Sequence, residues 1–292
     1  MNSKTLPTLL KSRPRHLPSA IEAGKRYRSP GNTDSLPVST VPSLISTLLL
    51  ASLAFEPGPA LAATEQDTQS RWGLGLGAAV DNSAYRGLDD DAQVLPVVSY
   101  ESRWFSVMGP GIDFKIPSDN ALSFRLQARY GIGEGYDASD SNDLDGMHDR
   151  DPGVWLGAKA IWASPIAQFS AQWASDVSGN SNGQTLRFAV ERRFTVNDFD
   201  FTPRLAAVRV DEDYVSYYYG VRNSEATASR SAYEGDATVN LEAGIRIGYK
   251  LDANQHVNLD LSATRLGSEI EDSPIVERAT TSSLRLWYMY RF

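Results

Sequence analysis

Few residues in this chain have the type and spacing that chemistry needs. His148 lies among Asp143, Asp145, Asp149 and Asp151, a density of carboxylates that suits a divalent cation or acid catalysis. The run Ser141-Asn142-Asp143-Leu144-Asp145-Gly146 half-resembles a calcium loop. Registered on Gly146, however, position one is Ser141, and the position that needs a bidentate carboxylate is Pro152. The expectation is an acidic surface loop that holds divalent ions loosely beside lipopolysaccharide. His256 is followed at alternate positions by Asn258 and Asp260, with no serine in that column before Ser262. A hydrolase needs its nucleophile and base on one face within reach, so His256 reads as a solvated turn residue. The chain has no cysteine, which excludes a thiol nucleophile, a disulfide framework and a cysteine zinc site. Gly73, Gly75 and Gly77 precede no helical pattern and make no nucleotide fingerprint. These residues predict a non-enzymatic protein with no catalytic residue, cofactor or metal.

A second set of residues suggests ion chemistry instead. Alternation along the strands described next collects Arg125, Arg129, Lys159, Arg187, Arg193, Arg204, Arg246, Lys250, Arg285 and Arg291 on inward faces. Only Glu191, Glu242 and Asp260 oppose them there. Two readings stay open. The charges pair and fill a narrow lumen, with Arg246 against Glu191 or Glu242. Alternatively they line a path for small anions, as rings of Arg and Lys do.

The elements that must position these residues show best at the end of the chain. Leu284, Leu286, Tyr288, Tyr290 and Phe292 alternate with Arg285, Trp287, Met289 and Arg291. Period two means a strand whose faces meet different surroundings. A final aromatic strand is what closes an outer-membrane barrel, with its rings in the interfacial girdle. Similar alternation recurs in Trp72–Val80, Leu122–Tyr130, Val154–Trp162, Val239–Tyr249 and Val257–Ala263. No segment carries a long apolar stripe of period 3.6. Short turns at 117–120, 164–165, 195–198 and 251–255 alternate with long segments at 133–151, 176–183, 211–235 and 268–281. The fold predicted is all-β, a transmembrane antiparallel up-and-down β-barrel of 12 strands. Counting 103–116 as a hairpin gives that even number, and 10 strands is the fallback.

The first part of the chain reads differently. Seven Lys and Arg residues precede an apolar run, Leu44–Phe55, and then Ala60-Leu61-Ala62. Basic region, short apolar core and small-x-small site predict a secretory signal peptide over 1–62, with a barrel over 63–292 in the cell outer membrane. Removing 1–62 takes the net charge from −8 to about −12, a poor match for nucleic acid.

Tyr218-Tyr219-Gly220-Val221, followed by Glu225, Ala226 and Tyr233, resembles a segment of the MltA-interacting-protein family, also called MipA/OmpV. Asp272-Ser273-Pro274-Ile275-Val276 before the last strand is similar to that family's Ser-Pro-Ile/Leu-Val loop. Pro96 with Tyr100 matches its Pro-x-x-x-Tyr stretch, while Ile270 stands where an alanine is usual. The resemblance covers roughly 64–292. It implies a scaffold barrel that links a periplasmic murein hydrolase, a lytic transglycosylase, to a peptidoglycan synthase. Some members look like osmotically regulated or adhesive surface proteins. The partners implied are outer-membrane lipid, lipopolysaccharide and those cell-wall enzymes.

Overall fold

The computed structural model describes residues 70–118 and 120–292, so the expected signal segment lies outside the described residues. Alternating sequence becomes strand throughout. The first half holds β1 (Arg71–Asp81), β2 (Asp91–Glu101), β3 (Phe105–Met108), β4 (Gly111–Ile116), β5 (Leu122–Tyr130) and β6 (Val154–Ala163). The second holds β7 (Gln168–Asp176), β8 (Gln184–Glu191), β9 (Phe194–Val196), β10 (Phe199–Val210), β11 (Thr238–Lys250), β12 (Gln255–Arg265) and β13 (Thr280–Arg291). Neighbours pair antiparallel in chain order, except that β8 pairs directly with β10. The short β9 hangs on the end of β10 as a spur. β13 pairs with β1 from Gly73↔Arg291 to Asp81↔Ser283, and this closes the ring. Twelve strands therefore make the wall, with one extra strand beside it.

Closure places both ends of the barrel on one rim, where the Phe292 amide donates to the Trp72 carbonyl at 2.9 Å. The connections β2–β3, β4–β5, β6–β7, β8–β10 and β11–β12 share that rim. The longer segments 82–90, 131–153, 177–183, 211–237 and 266–279 lie at the other. Outward positions are apolar and open: Leu76 is 58% exposed and Leu286 45%. Such a continuous apolar belt suits hydrocarbon rather than water. Among inward positions, Trp287 and Met289 are buried because β1 faces them with glycine. A Cβ on Gly73 would lie 2.8 Å from the Met289 sulfur.

The long segments differ from plain loops. They contain α1 (Glu212–Tyr218), α2 (Ser268–Glu271) and 3₁₀ turns at Ala138–Asp140 and Asn142–Leu144. Elements of three to seven residues are too short to show an apolar stripe, which is why periodicity misses them. Asp211 caps α1 by accepting from the Tyr214 amide at 3.1 Å.

Candidate functional site

The buried apolar core sits at the loop-end mouth of the barrel. It gathers Tyr85 from 82–90, Tyr136, Leu144 and Met147 from 131–153, Val215, Tyr218, Tyr219 and Val221 from 211–237, and Ile270, Ile275 and Val276 from 266–279. An isolated antiparallel bridge, Tyr85↔Val276, ties 82–90 to 266–279, and the bridges Tyr136↔Arg150 and Val221↔Tyr233 fold 131–153 and 211–237 back on themselves. The Tyr85 hydroxyl donates to the Tyr218 carbonyl at 3.0 Å, and the Ser273 hydroxyl to the Tyr219 carbonyl at 2.6 Å. Four loops from separate hairpins thus fold into one cap.

Buried charge locks the cap further. Arg150 reaches both oxygens of Glu225 and also donates to the Tyr217 and His148 carbonyls at 2.6 and 2.7 Å. Arg230 ties the carbonyls of Asp143, Asp145 and Glu225. Glu134 accepts from the Trp155 indole at 2.6 Å and from the Tyr218 hydroxyl at 3.2 Å. Burial pushes the Glu134 carboxyl above its usual range, against the pull of Arg129 and of those hydrogen bonds. For Glu225 burial also pushes upward. The bonds from Arg150, Arg222 and His148 outweigh it, and the carboxyl sits below its usual range.

Beneath the cap, the lumen is crossed by ion pairs. Arg187 meets Glu242 at 2.5 and 3.1 Å. Arg204 joins Asp260 at 2.7 and 2.9 Å and reaches Glu242 at 3.4 Å. Arg246 donates to Asp260 at 3.1 Å, an acid other than the two expected for it. Glu191 instead accepts from Gln168. Cross-strand register decides this, since Arg246 lies directly opposite Asp260. Arg285 pairs with Asp81 at 3.2 Å, Arg125 with Asp113 at 3.1 Å, and Arg129 loosely with Glu134 at 3.8 Å. Lys159 is buried on β6, in register with Arg125 and Gln172. The remaining space between the cap tyrosines and Arg187 is a cavity of about 60 Å³.

The two motif loops come together in the cap interior. Tyr218, Tyr219, Val221, Ser273, Ile275 and Val276 are all buried, with Gly220, Pro274 and Asp272 beside them in the chain. The closing-strand residues Leu284, Leu286, Tyr288, Tyr290 and Phe292 all face outward and exposed. Arg193 sits at the rim on Asp200, away from the lumen network. His256 is half-buried on β12. The His148 amide donates to Glu225 at 3.1 Å. Sequence reasoning missed Asp81, Asp113, Glu134, Arg150 and Arg230. Asp81 and Asp113 continue the inward columns of β1 and β4, so extending the alternation by one position finds them.

A closed twelve-stranded wall with an apolar outer belt, a charged lumen and one capped mouth defines an outer-membrane β-barrel protein. The model of the family described as MltA-interacting protein MipA matches residues 74–292, and the chain belongs to that family. YiaT of Escherichia coli (strain K12) is 30% identical over 234 residues, covering 77% of this chain and 92% of its own. The MltA-interacting protein of the same strain is 26% identical, covering 77% of this chain and 91% of its own. Other relatives carry outer-membrane protein names, among them Omp26La of Vibrio anguillarum, and the chain resides in that membrane. Among solved structures, the NanC porin superposes with a TM-score of 0.39 at 11% identity, covering 74% of this chain and 98% of its own.

Proposed function

We propose that the protein is a closed, non-enzymatic outer-membrane platform whose periplasmic rim docks cell-wall enzymes, a murein transglycosylase and a peptidoglycan synthase. The observation that carries this reading is the interlocked cap over a lumen of paired charges, which leaves the periplasmic rim as the accessible working surface. That rim presents apolar side chains: Ile166 is 65% exposed in the β6–β7 turn and Leu251 50% beyond β11. Exposed apolar residues on a rigid rim suit protein contact. The name of the 26% identical relative supports the choice of partner class. The anion-pore reading requires open water on both sides of the lumen arginines, and the cap opposes it.

A photocrosslinking amino acid at Ile166 or Ala253, and at Ser224 in the cap as control, tests the proposal in whole cells. The expected adducts with a murein transglycosylase and synthase form from the turn positions alone. Their absence from both turns would reject the docking assignment.

A further inference from the structure

The barrel wall has a gap. β2 pairs with β3 only from Ser99↔Met108 to Glu101↔Ser106, because β3 is four residues long where β2 has eleven. One further bond runs from the Gly109 amide to the Val98 carbonyl. Among the described residues, positions 91–97 of β2 bond to β1 and have no strand on their other side. Backbone polar groups left open at membrane depth are costly, so such an edge must be covered.

A cavity of about 490 Å³ lies at this edge, in the size range of small-molecule sites. Its wall includes Ala78 and Leu286, which face lipid, and Arg129, Arg285 and Gln172, which face the lumen. Gly109 and Pro110 of the β3–β4 turn and Leu95 and Val97 of the β2 edge line it too, so it sits where the wall lacks strand pairing. Leu95, Val97 and Met108 make its flank apolar although they point inward. Eight buried side-chain polar atoms lack a hydrogen-bond partner among the described residues. Four belong to residues lining this one cavity: Arg129 Nε, Arg285 Nε, Gln127 Oε1 and Gln172 Oε1. Gln172 is only 9% exposed. The one carboxylate in the lining, Asp113, is already taken by Arg125 and Gln127 at 3.1 and 3.0 Å. Two unfilled guanidinium donors with two glutamine oxygens at a polar end, and an apolar flank beside the open edge of β2, ask for an amphiphile.

We propose that this gap is a lateral binding site for a single-chain amphiphile with an acidic head, entered from the membrane. The chain lies along Leu95, Val97 and Met108, and the head accepts from Arg129 and Arg285. The site is independent of the periplasmic rim, and it meets the cap at Arg129, which lies 3.8 Å from Glu134.

The test uses the full barrel in phosphatidylcholine nanodiscs, with carbon-14-labelled dodecanoate and dodecanol as probes and empty nanodiscs as background. Dodecanoate should bind saturably, and dodecanol about tenfold more weakly or worse, since it lacks the charge. Arg129→Gln should bring dodecanoate down to the affinity of dodecanol. Val97→Trp should fill the gap and abolish dodecanoate binding. Heat-modifiable gel mobility reports whether each variant has formed its barrel, and the two-probe comparison on the unaltered protein needs no variant. No saturable dodecanoate binding, equal binding of dodecanol, or full binding by a folded Val97→Trp barrel would each overturn the proposal.

Discussion

Arg150 and Glu225, 75 residues apart in the chain, form a two-bond ion pair at 2.9 and 3.0 Å with 1% and 0% of their side chains exposed. The pair joins the loop after β5 to the loop after β10 at the centre of the cap. Removing one member leaves the other charged, buried and without its partner. Arg150→Met should therefore loosen the cap by about 3–5 kcal/mol while leaving the membrane-embedded wall assembled. Limited proteolysis reads this directly, as new cleavage within 131–153 and 211–237. Unchanged protease resistance would show that the pair does not hold the cap.

Acid should act on the cap through two carboxylates of opposite sign. The Glu225 carboxyl is held below its usual range, so its contribution is present at neutral pH and lost as pH falls through that depressed value. Burial raises Glu134, so the stability it contributes is present below the usual glutamate range and lost as pH rises through the raised folded value. Glu134→Gln should then protect the cap at about pH 7 and make no difference in acid, whereas Glu225→Gln should weaken it most at about pH 7. Protease resistance of the two variants measured across that range checks both signs.

In the lumen, Arg204 bridges Asp260 and Glu242, whereas Arg246 meets Asp260, which Arg204 also holds. Arg204→Ala strips partners from two buried acids and should cost about 3–5 kcal/mol. Arg246→Ala should cost less, because Asp260 keeps Arg204. The order of heat-modification temperatures, unaltered protein above Arg246→Ala above Arg204→Ala, is the readout. The reverse order would refute the bridging role.

At the seam, Tyr288 faces lipid and pairs across to Leu76, and Phe292 packs on Tyr290 with ring centres 4.9 Å apart. Tyr288→Asp and deletion of Phe292 should each reduce the yield of folded barrel, the first by placing a charge in hydrocarbon. Normal yields of heat-modifiable protein from both would count against the assigned closing strand.

The wall was legible because each strand carries its own evidence. Alternation within ten residues is enough to place Leu122–Tyr130 and Leu284–Phe292 and to orient Arg125 and Arg285. The cap was not, because Tyr85, Tyr136, Tyr219 and Ile275 come from four loops with no shared period. Arg150 and Glu225 show no local sign of one another. Partner choice in the lumen failed for a related reason. Arg246 finds Asp260 only once the β11–β12 register is known, and that register is set by the whole closed sheet. The resemblance pointed to Tyr218–Val221 and Ser273–Val276, and both segments prove to be interior packing of the cap.

Single-channel recording of the refolded protein in planar bilayers tests the closed-barrel account most directly. The unaltered protein should show little conductance, and Arg150→Met, by loosening the cap, should raise it. A large, steady, anion-selective conductance in the unaltered protein, abolished when Arg187, Arg204 and Arg246 are replaced by alanine, would contradict the account and make the barrel a pore.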